Sequence, residues 1–161
     1  MPAHKSAVVM MTNTDEFSVS NNAASILKNS VFNDTIKPKG PIHYKLKDYI
    51  LKDGIEKVKE IYYAEQQKNP QNYYVDAKYL DNLGYWLIDR KHPKEALDVF
   101  LYLVEVEPDY AGWVSSVADA YKELDSIDLA IQWNKKALKM DSSYEYAKEE
   151  IEKLSKKRLN K

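Results

Sequence analysis

The sequence predicts an all-α fold, an array of helical hairpins preceded by a short β-strand and helix, and three observations lead there. Leu80, Leu83, Gly84, Ala96 and Pro108 recur 34 residues later as Val114, Val117, Ala118, Ala130 and Ser142. Gly84 and Ala96 lie 12 residues apart, as do Ala118 and Ala130, which puts small side chains where the two helices of a hairpin must approach closely. Apolar residues through the second half of the chain fall at helical spacing. A period of this size, carried by pairs of helices, is the signature of stacked repeats that bury their apolar faces on one another.

Each element follows from local chemistry. Ser6-Ala-Val-Val-Met-Met-Thr12, punctuated by Asn13-Thr14-Asp15, reads as a buried strand. Ser20 or Asn21 caps an expected helix over 22–32, whose Ala23, Ile26, Leu27 and Val31 share one face. Residues 33–41 hold two prolines and a glycine and read as a linker. A helical pair is expected over 42–52 and 55–68, divided at Gly54 and ended by Asn69-Pro70. The first repeat places helix A at about 76–90 and helix B at about 93–107; the second places them at about 111–124 and 126–140. A capping helix over 143–157 closes the array. This gives three segments: 1–36, 37–75 and 76–161. Pro93 suits a first helical turn and Pro108 a stop. Gly84, Ala96, Phe100, Ala118, Ala130 and Ala137 are the expected packing positions between helices.

Composition narrows the function classes. With 24 basic and 25 acidic residues in 161, the net charge is −1, so nothing global favours nucleic acid or anionic lipid. Lys153, Lys156, Lys157, Arg158 and Lys161 form a basic end, but Glu145, Glu149, Glu150 and Glu152 lie among them. The longest apolar run, Ala7–Met11, is far below the roughly 20 residues of a spanning helix. Neither a nucleic-acid nor a membrane partner is expected. Without cysteine there is no thiolate metal site, and His4, His43 and His92 are too scattered for a ligand set. We expect no metal and no cofactor.

The register residues carry a family resemblance. Leu80, Leu83, Gly84, Leu87, Ala96, Phe100 and Pro108 resemble one tetratricopeptide repeat, and Val114, Val117, Ala118, Tyr121, Ala130 and Ala137 a second. Asn134 departs from the pattern where an aromatic is usual, and Ser142 where proline is usual. The helix with Ala147, Ile151 and Leu154 resembles the solvating helix that ends such arrays, and the pair ahead of the repeats a degenerate unit. A second resemblance concerns 6–32, followed by Lys37-Pro38-Lys39 and Gly54-Ile-Glu-Lys-Val58. This order resembles the end of a serine beta-lactamase-like hydrolase running into a C-terminal repeat extension, and it implies a remnant strand and helix from the catalytic domain. The chain as given is then expected in the cytoplasm, and outside it if it belongs to a longer hydrolase with a signal sequence.

Catalysis finds little footing. Ser25 and Lys28 match the Ser-x-x-Lys spacing in which lysine activates a serine nucleophile, but no Ser-Asp-Asn or Tyr-x-Asn partner follows. We expect no enzyme, the alternative being the non-catalytic C-terminal part of such a hydrolase. The resemblance to tetratricopeptide arrays implies a protein or peptide partner on the concave face formed by the A helices. Register puts Lys78, Asp81, Asn82, Tyr85 and Ile88 there from the first repeat, and Ser115, Asp119 and Lys122 from the second. The family's clamp for a peptide carboxylate uses lysine, asparagine and arginine. Asp81, Tyr85, Ser116, Tyr146 and Glu150 stand in its places, which repels a C-terminal carboxylate. The unpaired edge of the 6–12 strand implies self-association, which an unchanged mass by light scattering after removal of residues 1–20 would exclude.

Overall fold

The structure is a computed structural model that describes residues 40–68 and 72–159. The expected strand at 6–12, the helix at 22–32 and the Ser25–Lys28 pair lie outside the described residues. The element order is β1 (Gly40–Pro41), α1 (His43–Gln67), β2 (Tyr73–Tyr74), α2 (Ala77–Asp89), α3 (Pro93–Val106), α4 (Ala111–Glu123), α5 (Ile127–Met140) and α6 (Glu145–Leu159).

Helix α1 is two arms and not one rod. At Gly54 the backbone takes φ 76° and ψ −174°, a conformation that side chains with a Cβ disfavour. Lys45 Nζ then reaches Glu65 Oε1 at 2.8 Å. In a straight helix the 20 residues between them would span about 30 Å, so the chain must double back at the glycine. The two-residue strands β1 and β2 pair in parallel, and Ile42 N–H donates to Tyr74 O at 3.2 Å. This pairing draws the ends of the α1 unit together. The sequence reads Gly40-Pro41 as linker because two residues are too few to show a strand period.

The repeat is visible in the main chain. After α2, Lys91 N–H donates to Ile88 O and His92 N–H to Leu87 O, both at 2.9 Å. After α4, Asp125 N–H donates to Lys122 O at 3.0 Å and Ser126 N–H to Tyr121 O at 2.9 Å. Lys91 (φ 64°) and Asp125 (φ 55°) hold the left-handed position that closes each helix. Every partner in the second set lies 34 residues beyond its counterpart in the first. The same shift relates Tyr79 N→Asp76 O to Trp113 N→Tyr110 O, and Glu107 N→Leu103 O to Asp141 N→Ala137 O. The expected helix starting at 143 begins instead at Glu145. Asp141 Oδ1 accepts from Ser143 N at 2.9 Å and from its Oγ at 2.6 Å, which holds the preceding residues in a turn.

Packing follows the register. One apolar cluster joins Leu46, Ile50, Val58 and Tyr62 of α1 to Leu80, Leu83, Leu87, Val99, Phe100 and Leu103, and reaches Val117 and Ala120 of α4. The leading helical pair and the first repeat therefore share a core. Gly84 faces the Phe100 ring so closely that a Cβ there would lie 2.2 Å from Phe100 Cε1. At the equivalent place in the second repeat stand Ala118 and Asn134, a larger residue on one helix and a smaller one on the other. Asn134 is buried, and its Oδ1 accepts from Ser115 Oγ at 2.7 Å. Ala96, Ala130 and Ala137 are fully buried, while Ile127, Ile131 and Leu154 close the α5–α6 end. The architecture is an all-α, tetratricopeptide-like array of helical hairpins with one short strand pair at its leading end.

Candidate functional site

The A helices α2, α4 and α6 lie side by side, and their facing polar residues form a continuous network. Its centre is Asp119 on α4. Asp119 Oδ2 accepts from Tyr85 Oη of α2 at 2.8 Å, and Oδ1 accepts from Tyr146 Oη of α6 at 2.8 Å and from Lys122 Nζ at 2.9 Å. Lys122 also donates to Glu150 Oε2 at 3.0 Å, and Lys153 donates to Glu150 Oε1 at 3.0 Å. On the α2 side Ser116 Oγ donates to Asp81 Oδ1 at 2.7 Å.

The electrostatics follow from burial and pairing. Desolvation raises the Asp81 carboxyl to about 6, opposed by the Ser116 hydrogen bond and assisted by the negative charge of Asp119. Burial, with the Asp119 carboxylate alongside, raises the Tyr85 and Tyr146 hydroxyls, so both stay protonated donors. Burial works against the charge on Lys122, but hydrogen bonds to Asp119 and Glu150 outweigh it and the ammonium is held above its ordinary range. Glu150 is held below the usual carboxylate range: burial opposes this, and its bonds to Lys122 and Lys153 prevail. Asp119 is 6% exposed, and removing it would take the acceptor from the Tyr146 hydroxyl and leave Lys122 with Glu150 and Tyr85 with Ser116.

The residues expected on an open concave face therefore divide. Ser115 turns inward, 1% exposed, and is spent on Asn134; Asp119 is spent on the two tyrosines and Lys122. Asp81 and Lys122 are half-buried within the network. Lys78, Asn82 and the ring of Tyr85 stay exposed, and Ile88 is half-buried. Glu123 and Tyr146 are exposed beside them. Tyr146 and Glu150 belong to the centre of the network, although the sequence weighed them only as occupants of a carboxylate clamp. A signal was present: Tyr85 and Asp119, like Ser116 and Glu150, are 34 residues apart, so each pair occupies one register position on adjacent A helices.

The basic end is largely matched within the fold. Lys156 pairs with Glu152 at 2.6 Å, Lys157 with Asp125 at 3.1 Å and Arg158 with Asp128 at 3.1 Å. His43 is buried, and His92 lies 3.8 Å from Glu95. Among the described residues no three His, Asp or Glu side chains are grouped to hold a metal, and no helix is long and apolar enough to cross a membrane.

No family model matches the chain, and no curated protein matches it. Among solved structures 23 chains match. One of them, "MamA AMB-1 P212121", is 15% identical, covers 88% of this chain and 78% of its own, and gives a TM-score of 0.49. A likeness at that level carries no argument about function, and the fold stands on the 34-residue register of the chain's own main-chain bonds.

Proposed function

We propose that the chain is a non-catalytic protein-interaction scaffold of tetratricopeptide type that receives a segment of a partner protein across its A helices. The observation supporting this is the cross-linking of α2, α4 and α6 through Asp119, which makes three helices one firm surface with Asn82, Tyr85, Ile88 and Tyr146 at its front. Tyrosine rings supply broad contact at small entropic cost, and Asn82 can bond a peptide backbone from either side. Lys122 is taken up by Asp119 and Glu150, and Asp81 has no cationic partner among the described residues, so this face offers no spare cation to a peptide's terminal carboxylate and the segment is recognised through its interior. The link to a serine beta-lactamase-like hydrolase rests on the order of residues 6–32, Lys37-Pro38-Lys39 and Gly54–Val58 in the sequence and gains nothing from the fold or the comparisons.

The test is selection of peptides from a random display library on the full chain, followed by calorimetry with the selected peptide. Asn82→Ala and Ile88→Ala are each expected to weaken binding by about tenfold, the effect of losing one well-placed contact. Lys136→Ala, on helix α5, is expected to leave it unchanged. Peptides sensitive to Lys136 and indifferent to Asn82 and Ile88 would refute the assignment of the face.

A further inference from the structure

Apolar side chains gather in the open at the leading end of the array. Tyr44 (43% exposed) and Leu51 (46% exposed) lie two turns apart on one face of the first arm of α1. Trp86 of α2 stands half-buried beside them. One ammonium fixes that adjacency: Lys47 Nζ lies 4.7 Å from the centre of the Tyr44 ring and 5.1 Å from that of Trp86. The Arg90 guanidinium covers Trp86 at 4.2 Å. A patch with two aromatic rings and a leucine, drawn from two helices, is a surface on which a further apolar element can pack.

The chain itself is delivered to this place. Pro41 pairs with Tyr74 and α1 opens at His43, so the residues ahead of Gly40 enter within a few positions of Tyr44. Among them the segment 22–32 puts Ala23, Ile26, Leu27 and Val31 on one face of an expected helix, with Ser25 and Asn29 on the other. Eleven residues are too few to hold a helix alone in water, where about 12–15 are marginal. Such a stripe gains stability only against another apolar surface. The tether over 33–39 spans at most about 30 Å, which keeps the segment at the leading end. The whole of α2, 13 residues, is about 20 Å long, so Tyr44, Leu51 and Trp86 all fall within reach. A leash of this length holds the segment at an effective concentration of about millimolar, an advantage no free partner shares.

We propose that residues 22–32 of the chain itself dock as a helix on the patch of Tyr44, Leu51 and Trp86, with Ile26, Leu27 and Val31 against it. This contact uses neither Asn82 nor Ile88, so it stands or falls separately from the peptide-binding face. The full chain contains no cysteine, and a nitroxide on Asn29→Cys, opposite the apolar stripe, therefore labels a single site. Nitrogen–proton spectra of the labelled chain read proximity, with three tryptophans giving three indole signals. The amides of 44–51 and the Trp86 indole are expected to lose most of their intensity, while the Trp133 indole on α5 keeps its own. Leu27→Asp in the segment and Leu51→Asp on the exposed patch are each expected to restore the Trp86 signal. Nitroxide-bearing chains mixed with unlabelled nitrogen-15 chains are expected to leave every signal intact. The proposal is overturned if Trp86 keeps its intensity, if Trp133 loses as much, if either aspartate leaves the loss unchanged, or if the loss appears in the mixture, which would make the occupant a second copy.

Discussion

Asp81→Asn tests the reading of the inter-helix network most directly, because it changes a charge while keeping the shape. In the folded chain burial raises the Asp81 carboxyl from an ordinary 3.8 to about 6, so folding takes up a proton between those values. A group whose folded pKa lies above its unfolded one stabilises fully below the unfolded value and loses that contribution as pH rises through the folded value. Stability from this residue therefore falls between about pH 4 and pH 6. At about 1.4 kcal/mol for each factor of ten in proton affinity, the loss is at most about 3 kcal/mol, and less in practice because Asp81 keeps part of its surface in water. Asparagine cannot ionise and still offers an oxygen to Ser116 Oγ. Urea unfolding of both proteins from pH 3.5 to 7.5 measures the difference, in which the other carboxylates largely cancel. The two should be equally stable at the acid end, and Asp81→Asn should be the more stable by one to about 3 kcal/mol at pH 7.5. A difference that does not vary with pH, or that reverses in sign, refutes the argument.

Two further substitutions probe the repeat geometry. Gly84→Ala should destabilise the protein by about 1–3 kcal/mol in urea unfolding, against the usual helical gain from alanine, because the added Cβ drives into the Phe100 ring; a neutral or stabilising result would contradict the close approach. Lys91→Gly should stabilise by about 0.5–1 kcal/mol, since glycine holds the left-handed φ of 64° without strain, and thermal melting with an unchanged or lowered midpoint would count against the turn assignment.

The helices were legible because the residues that fix them act locally or at a fixed distance. Gly54 announces its reversal by lacking a Cβ, Pro93 its helix start by lacking an N–H, and Gly84 with Ala96 its close crossing by lacking bulk. The state of the A-helix face was less legible. Polar residues such as Tyr85 and Asp119 read as solvent-facing when taken one at a time, and only donor and acceptor matched across one repeat length reveal that they satisfy each other. Ser115 turned inward because Asn134, where an aromatic is usual, offers it a buried acceptor. The two-residue pairing of Gly40–Pro41 with Tyr73–Tyr74 left no periodic trace at all.

The bonds radiating from Asp119 also bear on shape. Apolar surfaces slide over one another at little expense, whereas a hydroxyl 2.8 Å from a carboxylate tolerates little displacement before its bond is lost. The placement of α2 and α6 against α4 is thus keyed at Asp119 between two tyrosines, one from each adjoining unit, with Ser116–Asp81 and Lys122–Glu150 on either side. Under the proposed function, a partner segment meets a face whose helices are already fixed, and the entropy of ordering that face has been spent during folding instead of at the encounter.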